Sequence, residues 1–312
     1  MSDRPRLRLG TRGSPLARWQ AEHVAALLAA LAVDVELIPI TTQGDVTTGP
    51  LGAVGGQGLF TKEIQRALLD DRIDLAVHSL KDLPTDAVAG LALTAVPERE
   101  SPGDVLVCNT ASSLQDLPPR SRIGTGSTRR KAQLLFARPD LEVHDIRGNL
   151  DTRLRKLDAG DYDAIVLAEA GLRRLQLAAR ITQILPKSLM LPAVGQGALG
   201  IETRADDAVT CALVAPLNDG PTRAAALAER AMLRALRGGC MAPVGAWGRV
   251  EEGELKLAGV VLSANGQQRI AAAGVASPQA AEALGVQVAE ALLEQGAAEL
   301  IAASRIPPPD AP

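Results

Sequence analysis

Val77-His78-Ser79-Leu80-Lys81-Asp82-Leu83-Pro84 is the stretch around which the chain is organised. It continues from Asp74-Leu75-Ala76, a short apolar run with the pattern of a buried strand, and closes at a proline that stops regular structure. In an open α/β sheet, ligands sit just past the carboxyl ends of the strands. Lys81 and Asp82 therefore fall where a cation and an acid-base group are useful. A lone Lys-Asp pair in a loop is ordinarily a solvated turn. The rest of the chain changes that reading, because it places arginine-bearing loops at several other strand ends.

Toward the N-terminus, Leu59 to Asp71 is amphipathic through Phe60, Ile64, Ala67 and Leu68, and it leads into the Asp82 strand. Before it, Gly49 to Gly58 carries five glycines, which points to a flap or a close backbone approach to ligand. Without a GKS/T ending it is not a phosphate loop. Arg6 to Gly10 and Val33 to Ile40 read as strands. Between them Ser14 is placed as N-cap and Pro15 as first residue of a helix to about Ala32, burying Leu16, Val24, Leu27, Leu28 and Leu31. Arg12 then lies at the positive end of a helix, where backbone N–H groups await an anion.

Toward the C-terminus, Leu91 to Val96 is a strand, and Pro97 and Pro102 mark a crossover and a domain boundary. The second unit repeats the βα plan. Ile123-Gly124 ends a strand, and Thr125-Gly126-Ser127-Thr128-Arg129-Arg130 opens a helix through Leu135. Two arginines in a first turn oppose the helix dipole, at a cost of roughly some tenths of a kcal/mol each, which a bound anion reverses. A strand at Leu141 to Ile146 is followed by Arg147-Gly148-Asn149-Leu150-Asp151-Thr152-Arg153, and one at Asp163 to Leu167 by Glu169 to Arg174. Three successive strand ends thus deliver arginines to one edge. The ligand must carry several negative charges, and arginine forks suit carboxylates and phosphates alike.

Leu191 to Gly200 is a proline- and glycine-rich crossing that returns the chain to the first unit, where a helix near Ala205 to Leu217 follows. Gly220-Pro221 opens a long helix that stops at Arg237-Gly238-Gly239, with glycine as the cap. Leu255 to Leu262 and Gln267 to Ala273 form a hairpin about Asn265-Gly266, and a helix runs from about Pro278 to Leu293. This third unit is α+β, and Ile306 to Pro312 is a tail expected to be disordered.

Composition sets the bounds. A chain of 312 residues needs two or three domains, and 46% hydrophobic with 22% charged residues describes a soluble globular protein. Aromatic residues at 2% leave no base-stacking platform, and a net charge of −3 gives no field for nucleic acid or anionic membrane. There is no secretory h-region and no run of roughly 18 to 20 apolar residues. Three widely spaced cysteines form neither a disulfide framework nor a metal pattern, and a reducing cytoplasm fits them. No dinucleotide fingerprint and no His/Cys/Asp cluster with metal-ligand spacing is present. His78 reads as a structural histidine, and Cys108 and Cys211 as small hydrophobes. Cys240 differs: its Gly-Gly-Cys loop has no apolar periodicity and admits a covalent or nucleophilic role.

Seven ordered motifs together carry a resemblance. They are Leu9-Gly10-Thr11-Arg12-Gly13-Ser14-Pro15-Leu16-Ala17, Gly58-Leu59-Phe60-Thr61-Lys62-Glu63, Val77 to Pro84, Gly124 to Arg130, Arg147 to Arg153, Pro192-Ala193-Val194-Gly195-Gln196-Gly197 and Gly238-Gly239-Cys240. With these the chain resembles the porphobilinogen deaminase (hydroxymethylbilane synthase) family over nearly its whole length. The resemblance implies an α/β fold of three domains: two lobes like those of type II periplasmic binding proteins and a smaller α+β C-terminal domain. Their spans would be 1–98 with 197–216, then 99–196, then 217–312. It also implies a transferase of heme and other tetrapyrrole synthesis. That enzyme joins four porphobilinogen molecules head to tail with loss of ammonia, on one covalent dipyrromethane cofactor, and releases hydroxymethylbilane by hydrolysis.

By match of motif, Cys240 holds the cofactor as a thioether and Asp82 is the catalytic carboxylate, itself in contact with the cofactor. Ser79, Lys81, Thr125, Ser127, Arg129 and Arg130 would bind the cofactor, and Arg12, Ser14, Arg147, Arg153, Arg174 and Gln196 the substrate. No metal is implied. The expected enzyme is a cytoplasmic monomer with no nucleic-acid or membrane partner, handing its product to a uroporphyrinogen III synthase. The chain departs from the family pattern at Gln57 and Ala53, where flap lysines are common, and at Arg237, where an acidic residue is frequent. The alternative from another class is a non-catalytic two-lobed module that binds a polycarboxylate or other anion.

Overall fold

The computed structural model describes residues 4–42, 61–238 and 242–304. The glycine-rich stretch with Ala53 and Gln57, Cys240, which the sequence resemblance puts forward for cofactor attachment, and the tail from Ile306 lie outside the described residues. The chain divides into two compact units, Met1–Glu100 with Ala198–Arg223 and Ser101–Gly197 with Ala224–Pro312.

The chain begins with β1 (Arg6–Thr11), α1 (Pro15–Ala30), β2 (Asp34–Pro39), α2 (Lys62–Leu69), β3 (Leu75–Ser79) and β4 (Leu91–Ala95). It then forms β5 (Asp104–Cys108), β6 (Arg122–Gly124), α3 (Thr128–Ala137), β7 (Glu142–His144), α4 (Leu150–Asp158), β8 (Ala164–Ala168), α5 (Glu169–Arg174) and β9 (Gln183–Ile184). It continues through β10 (Leu199–Arg204), α6 (Ala208–Val214) and α7 (Gly220–Ala235). The C-terminal part holds β11 (Val244–Glu251), β12 (Glu254–Leu262), β13 (Arg269–Ala276), α8 (Ala281–Glu294) and α9 (Ala297–Ala303).

In the first unit the sheet order is β2-β1-β3-β10-β4. β1 runs parallel to β2 and β3, whereas β10 is antiparallel to β3 and β4. Both faces are covered. Leu75 and Val77 of β3 pack with Leu9, Val24 and Leu28 on the α1 side, and Ala76 packs with Ile64 and Leu68 of α2 on the other. That two-sided burial explains the unbroken apolar run read in the sequence. Ser14 caps α1, its Oγ accepting from the Ala17 N–H at 3.3 Å, and Pro15 opens the helix as expected. Leu31, expected inside, is 46% exposed because the helix ends at Ala30 and Leu31 serves as its cap.

The first sheet of the second unit has the order β7-β6-β8-β5-β9. β6 is parallel to β7 and β8, and β5 is antiparallel to β8 and β9. Order and direction repeat the first unit, with β5 in the place of β10. Neither β5 nor β10 is expected from the sequence, where both fall within or beside crossing chain. Each enters its sheet directly after such a segment, behind Pro102-Gly103 or Gly195-Gln196-Gly197, so the local signal is loop.

The C-terminal part adds an antiparallel sheet, β11-β12-β13, of which β11 was likewise not expected. Leu255, Leu257 and Val261 of β12 pack against Leu284, Val288 and Leu292 of α8 and Met232 of α7. The opposite face turns Val260 and Leu262 toward Ala132 of α3 and Leu191. The stop of α7 needs a correction. Arg237, with φ 50°, takes the left-handed position expected of Gly238. Gly238 is small for another reason: a Cβ there would meet Leu233 Cδ1 at 2.9 Å.

Candidate functional site

In the first unit, β3 hands the chain to a single 3₁₀ turn, Leu80–Asp82. The Leu80 N–H donates to the Ala198 carbonyl at 3.0 Å, and the buried Gln20 of α1 donates its amide to Ser79 Oγ at 2.7 Å. Asp82 is exposed, and it lines a small recess, partly open to solvent, with Arg12, Gln20, Thr61, His78 and Ser79. Arg12 reaches this recess from the loop after β1, as its place before a helix start requires. Lys81 is exposed on the same turn, and the Ser14 hydroxyl is engaged in capping α1. Gln20 carried no sequence signal, since it sits in an otherwise ordinary helical stretch, whereas Thr61 falls in the Gly58 to Glu63 motif, just before α2.

In the second unit, the parallel strands β6, β7 and β8 end at one edge of their sheet. The arginines that follow them are there, but largely sunk. Arg129 and Arg130 are 4% and 6% exposed and converge on Asp104, which is fully buried. Arg129 Nη1 lies 2.7 Å from Asp104 Oδ2, and Arg130 Nε 2.8 Å from Oδ1. Burial pushes the Asp104 carboxyl up, but the two guanidiniums outweigh it and hold the group well below the usual carboxylate range. Gln196 is buried beside them, its amide donating to Asp104 Oδ1 at 2.9 Å and to the Pro102 carbonyl at 2.8 Å. Arg174, 7% exposed, donates to the Gly197 carbonyl at 2.7 Å. Gly195 and Gly197 both have positive φ, 69° and 85°, which accounts for the glycines around Gln196.

The helix-start anion inferred from Arg129-Arg130 is therefore supplied in part by the chain itself. One carboxylate against two guanidiniums still leaves one positive charge at the edge. Arg153 senses the same excess: burial, then the charges of Arg130 and Arg147, push it down to about 10 against the opposing pull of Asp145. Arg147 is paired with Asp145 at 2.7 Å. Thr125 is buried and its Oγ1 accepts from the Ser127 N–H at 3.3 Å, while Ser127 Oγ caps α3. Asp104 is the residue sequence reasoning missed. Asp74 and Asp163 also precede apolar runs, but their strands are parallel, which puts them at the far edge. Because β5 is antiparallel, opposite Ala168 at its start, Asp104 falls at the ligand edge.

Two sheet-bearing α/β lobes, an arginine-rich strand edge and a third sheet-and-helix part describe a protein suited to an anionic ligand. Comparison with known families narrows this to one. Residues 7–212 match the family model described as porphobilinogen deaminase, dipyromethane cofactor binding domain, and residues 224–294 match its C-terminal domain. A porphobilinogen deaminase of Chlorobaculum parvum is 50% identical over 300 residues, covering 94% of this chain and 96% of that protein. The chain belongs to the porphobilinogen deaminase family. It is thus an enzyme, a transferase of tetrapyrrole and heme synthesis with a dipyrromethane cofactor, rather than a non-catalytic binding module.

Among solved structures, a methionine-binding lipoprotein of Bacillus subtilis is similar at 12% identity and a TM-score of 0.43, covering 68% of this chain and 89% of that one. A lipoprotein of Treponema pallidum is similar at 13% identity and a TM-score of 0.45, covering 69% and 91%. The residues present fit a cofactor bearing several carboxylates. The buried Arg129 Nε has no hydrogen-bond partner among the described residues, and the Arg130-Arg153 cluster holds uncompensated positive charge.

Proposed function

We propose that this chain is a hydroxymethylbilane synthase in which Asp82 is the catalytic carboxylate and Cys240 the point of cofactor attachment. The observation that carries the proposal is the shared recess of Asp82, Arg12 and Ser79 at the end of β3, in a chain of this family. Once bound through a thioether, one per chain, the cofactor supplies the free pyrrole carbon to which porphobilinogen units are joined. The Asp82 carboxylate would accept from a pyrrole N–H, stabilise positive charge that develops there and relay protons. Ser79, Lys81, Thr125, Ser127, Arg129 and Arg130 hold the cofactor side chains, the arginines through the charge that Asp104 leaves over. Arg12, Ser14, Arg147, Arg153, Arg174 and Gln196 receive the acetate and propionate groups of the substrate, with arginine forks matched to carboxylates.

We keep three functional domains, 1–98 with 197–216, 99–196 and 217–312, with Asp82 in the first and Cys240 in the third. The chain acts as a cytoplasmic monomer and passes its product to a uroporphyrinogen III synthase. Among the described residues no helix is long and apolar enough to cross a membrane. The test is intact mass with turnover. The parent protein is expected to carry two linked pyrrole units and Cys240→Ser none. Asp82→Asn should keep the excess mass while losing roughly 100-fold or more in elongation rate. Full turnover by Asp82→Asn, or an unmodified Cys240 after incubation with porphobilinogen, would overturn the assignment.

A further inference from the structure

His78 and Glu202 form a buried polar pair directly behind the Asp82 turn. His78 Nε2 lies 3.0 Å from Glu202 Oε2, an ion-pair distance without hydrogen-bond alignment, and both residues are 5% exposed. Gln65 of α2, 6% exposed, donates its amide to the two Glu202 oxygens at 3.2 and 3.1 Å. The set joins three elements. Glu202 stands on β10, whose register opposite β3 pairs Gly200 with His78, and His78 is the residue before Ser79. Around it the wall is apolar, with Ile64, Leu68, Ile73 and Ala76 all buried.

A buried polar set of this kind is weak evidence for a gain in stability. Buried ionic or polar groups are often replaced by well-packed apolar residues without loss, because removing them from water costs about as much as they return. His78 also lines the recess with Asp82 and Arg12. We infer that His78 and Glu202 are positioning residues for the reaction: Glu202, held by Gln65, packs its carboxylate against the imidazole, and together they brace the end of β3 from which Asp82 projects. Gln20 secures the same strand end from the α1 side through Ser79. The turn is clamped across both faces of the sheet, so Asp82 meets its substrate without reorganising. This rests on the reading of Asp82 as the catalytic carboxylate.

The test uses full-length, cofactor-loaded protein. Glu202→Gln keeps shape and an acceptor oxygen but removes the charge, and His78→Asn removes the ring. Each is expected to lower kcat by about ten- to a hundredfold, the scale of a small misplacement of a catalytic group, with KM within about twofold. The double variant is expected to be no worse than either single one, because the pair acts as a unit. Gln65→Met, which releases Glu202 without adding charge, is expected to show a smaller loss of the same kind. Folded variants with kcat within about twofold of the parent would overturn the inference. Failure of both Glu202→Gln and His78→Asn to fold would show a purely structural role and overturn it too. If the parent turns over porphobilinogen and Asp82→Asn does so equally well, the Asp82 reading itself falls, and this inference with it.

Discussion

Asp104 has no exposed surface, and it faces two guanidiniums that themselves have almost none. Removing one partner of a buried ionic set strands the others in a medium that cannot solvate them, typically at about 3–5 kcal/mol. Asp104→Asn is therefore expected to lose stability on that scale in chemical denaturation, although it changes only an oxygen to an amide. The pH dependence has a definite sign. The folded carboxyl is depressed below its unfolded value of about 3.9, so its contribution is complete above that value. It drains away as pH falls through the folded value. Parent stability should hold through neutral pH and decline in the acid range below about pH 5, while Asp104→Asn should show a shallower acid decline from a lower plateau. Parallel acid curves for the two proteins would remove Asp104 from its proposed place. The arginines of this cluster were legible in the sequence because two cations in a first helical turn are a local anomaly. Their counter-ion was not, because it comes from a strand 25 residues away from Arg129.

Elements repeat where single residues do not. In the first lobe the Arg8 N–H and Nε both donate to Asp74 Oδ2, at 2.7 and 3.1 Å, and its Nη1 reaches the Asp71 carbonyl. In the second lobe the Arg122 N–H and Nε donate to Asp163 Oδ2, at 2.6 and 3.3 Å, and its Nη2 reaches the Gly160 carbonyl. The same buckle ties the central parallel strand to the start of its neighbour in both sheets. Here the sequence was readable: strand, helix and strand recur with similar loops. It was silent on β5 and β10, whose partners lie far along the chain and whose flanks carry proline and glycine, and on β11, although that strand pairs with β12 just beyond it. Helix contacts show the same dependence on partners. A Cβ on Gly285 of α8 would overlap the Ala228 carbonyl oxygen of α7, a backbone atom that cannot swing aside, whereas a Cβ on Gly171 of α5 meets open space. Helix propensity favours alanine at both by up to about 1 kcal/mol. Gly171→Ala should be neutral to stabilising by up to about that amount, and Gly285→Ala destabilising by about 1–3 kcal/mol through overpacking. Thermal melts of the pair check this, and shifts of equal sign would show that α7 and α8 separate more readily than their packing implies.

At the scale of the whole molecule, charge is distributed against a simple steering picture. Lys and Arg number 33 and Asp and Glu 36, so the chain carries a net −3 while a substrate rich in carboxylates is the one its family uses. Composition alone made nucleic acid a poor partner, yet it also gave no reason to expect an anionic ligand; that came from where the arginines sit. Several of them are sunk rather than displayed. Arg129, Arg130 and Arg174 are almost wholly buried, and Asp104 and Asp145 cancel part of the local charge. Long-range attraction is screened beyond about 10 Å at 0.1 M salt, whereas contacts made inside a low-dielectric edge are screened much less. A negatively charged molecule with recessed arginines should therefore capture porphobilinogen by short contacts and not by its overall field. Between about 50 and 500 mM salt, kcat/KM is expected to fall by no more than about threefold, and kcat to change less. Arg153→Gln should raise KM at every salt concentration, since it deletes a contact rather than a contribution to a screened field. A decline of tenfold or more in the parent, abolished by Arg153→Gln, would instead mean that the arginine edge projects its charge into solvent and draws substrate from a distance.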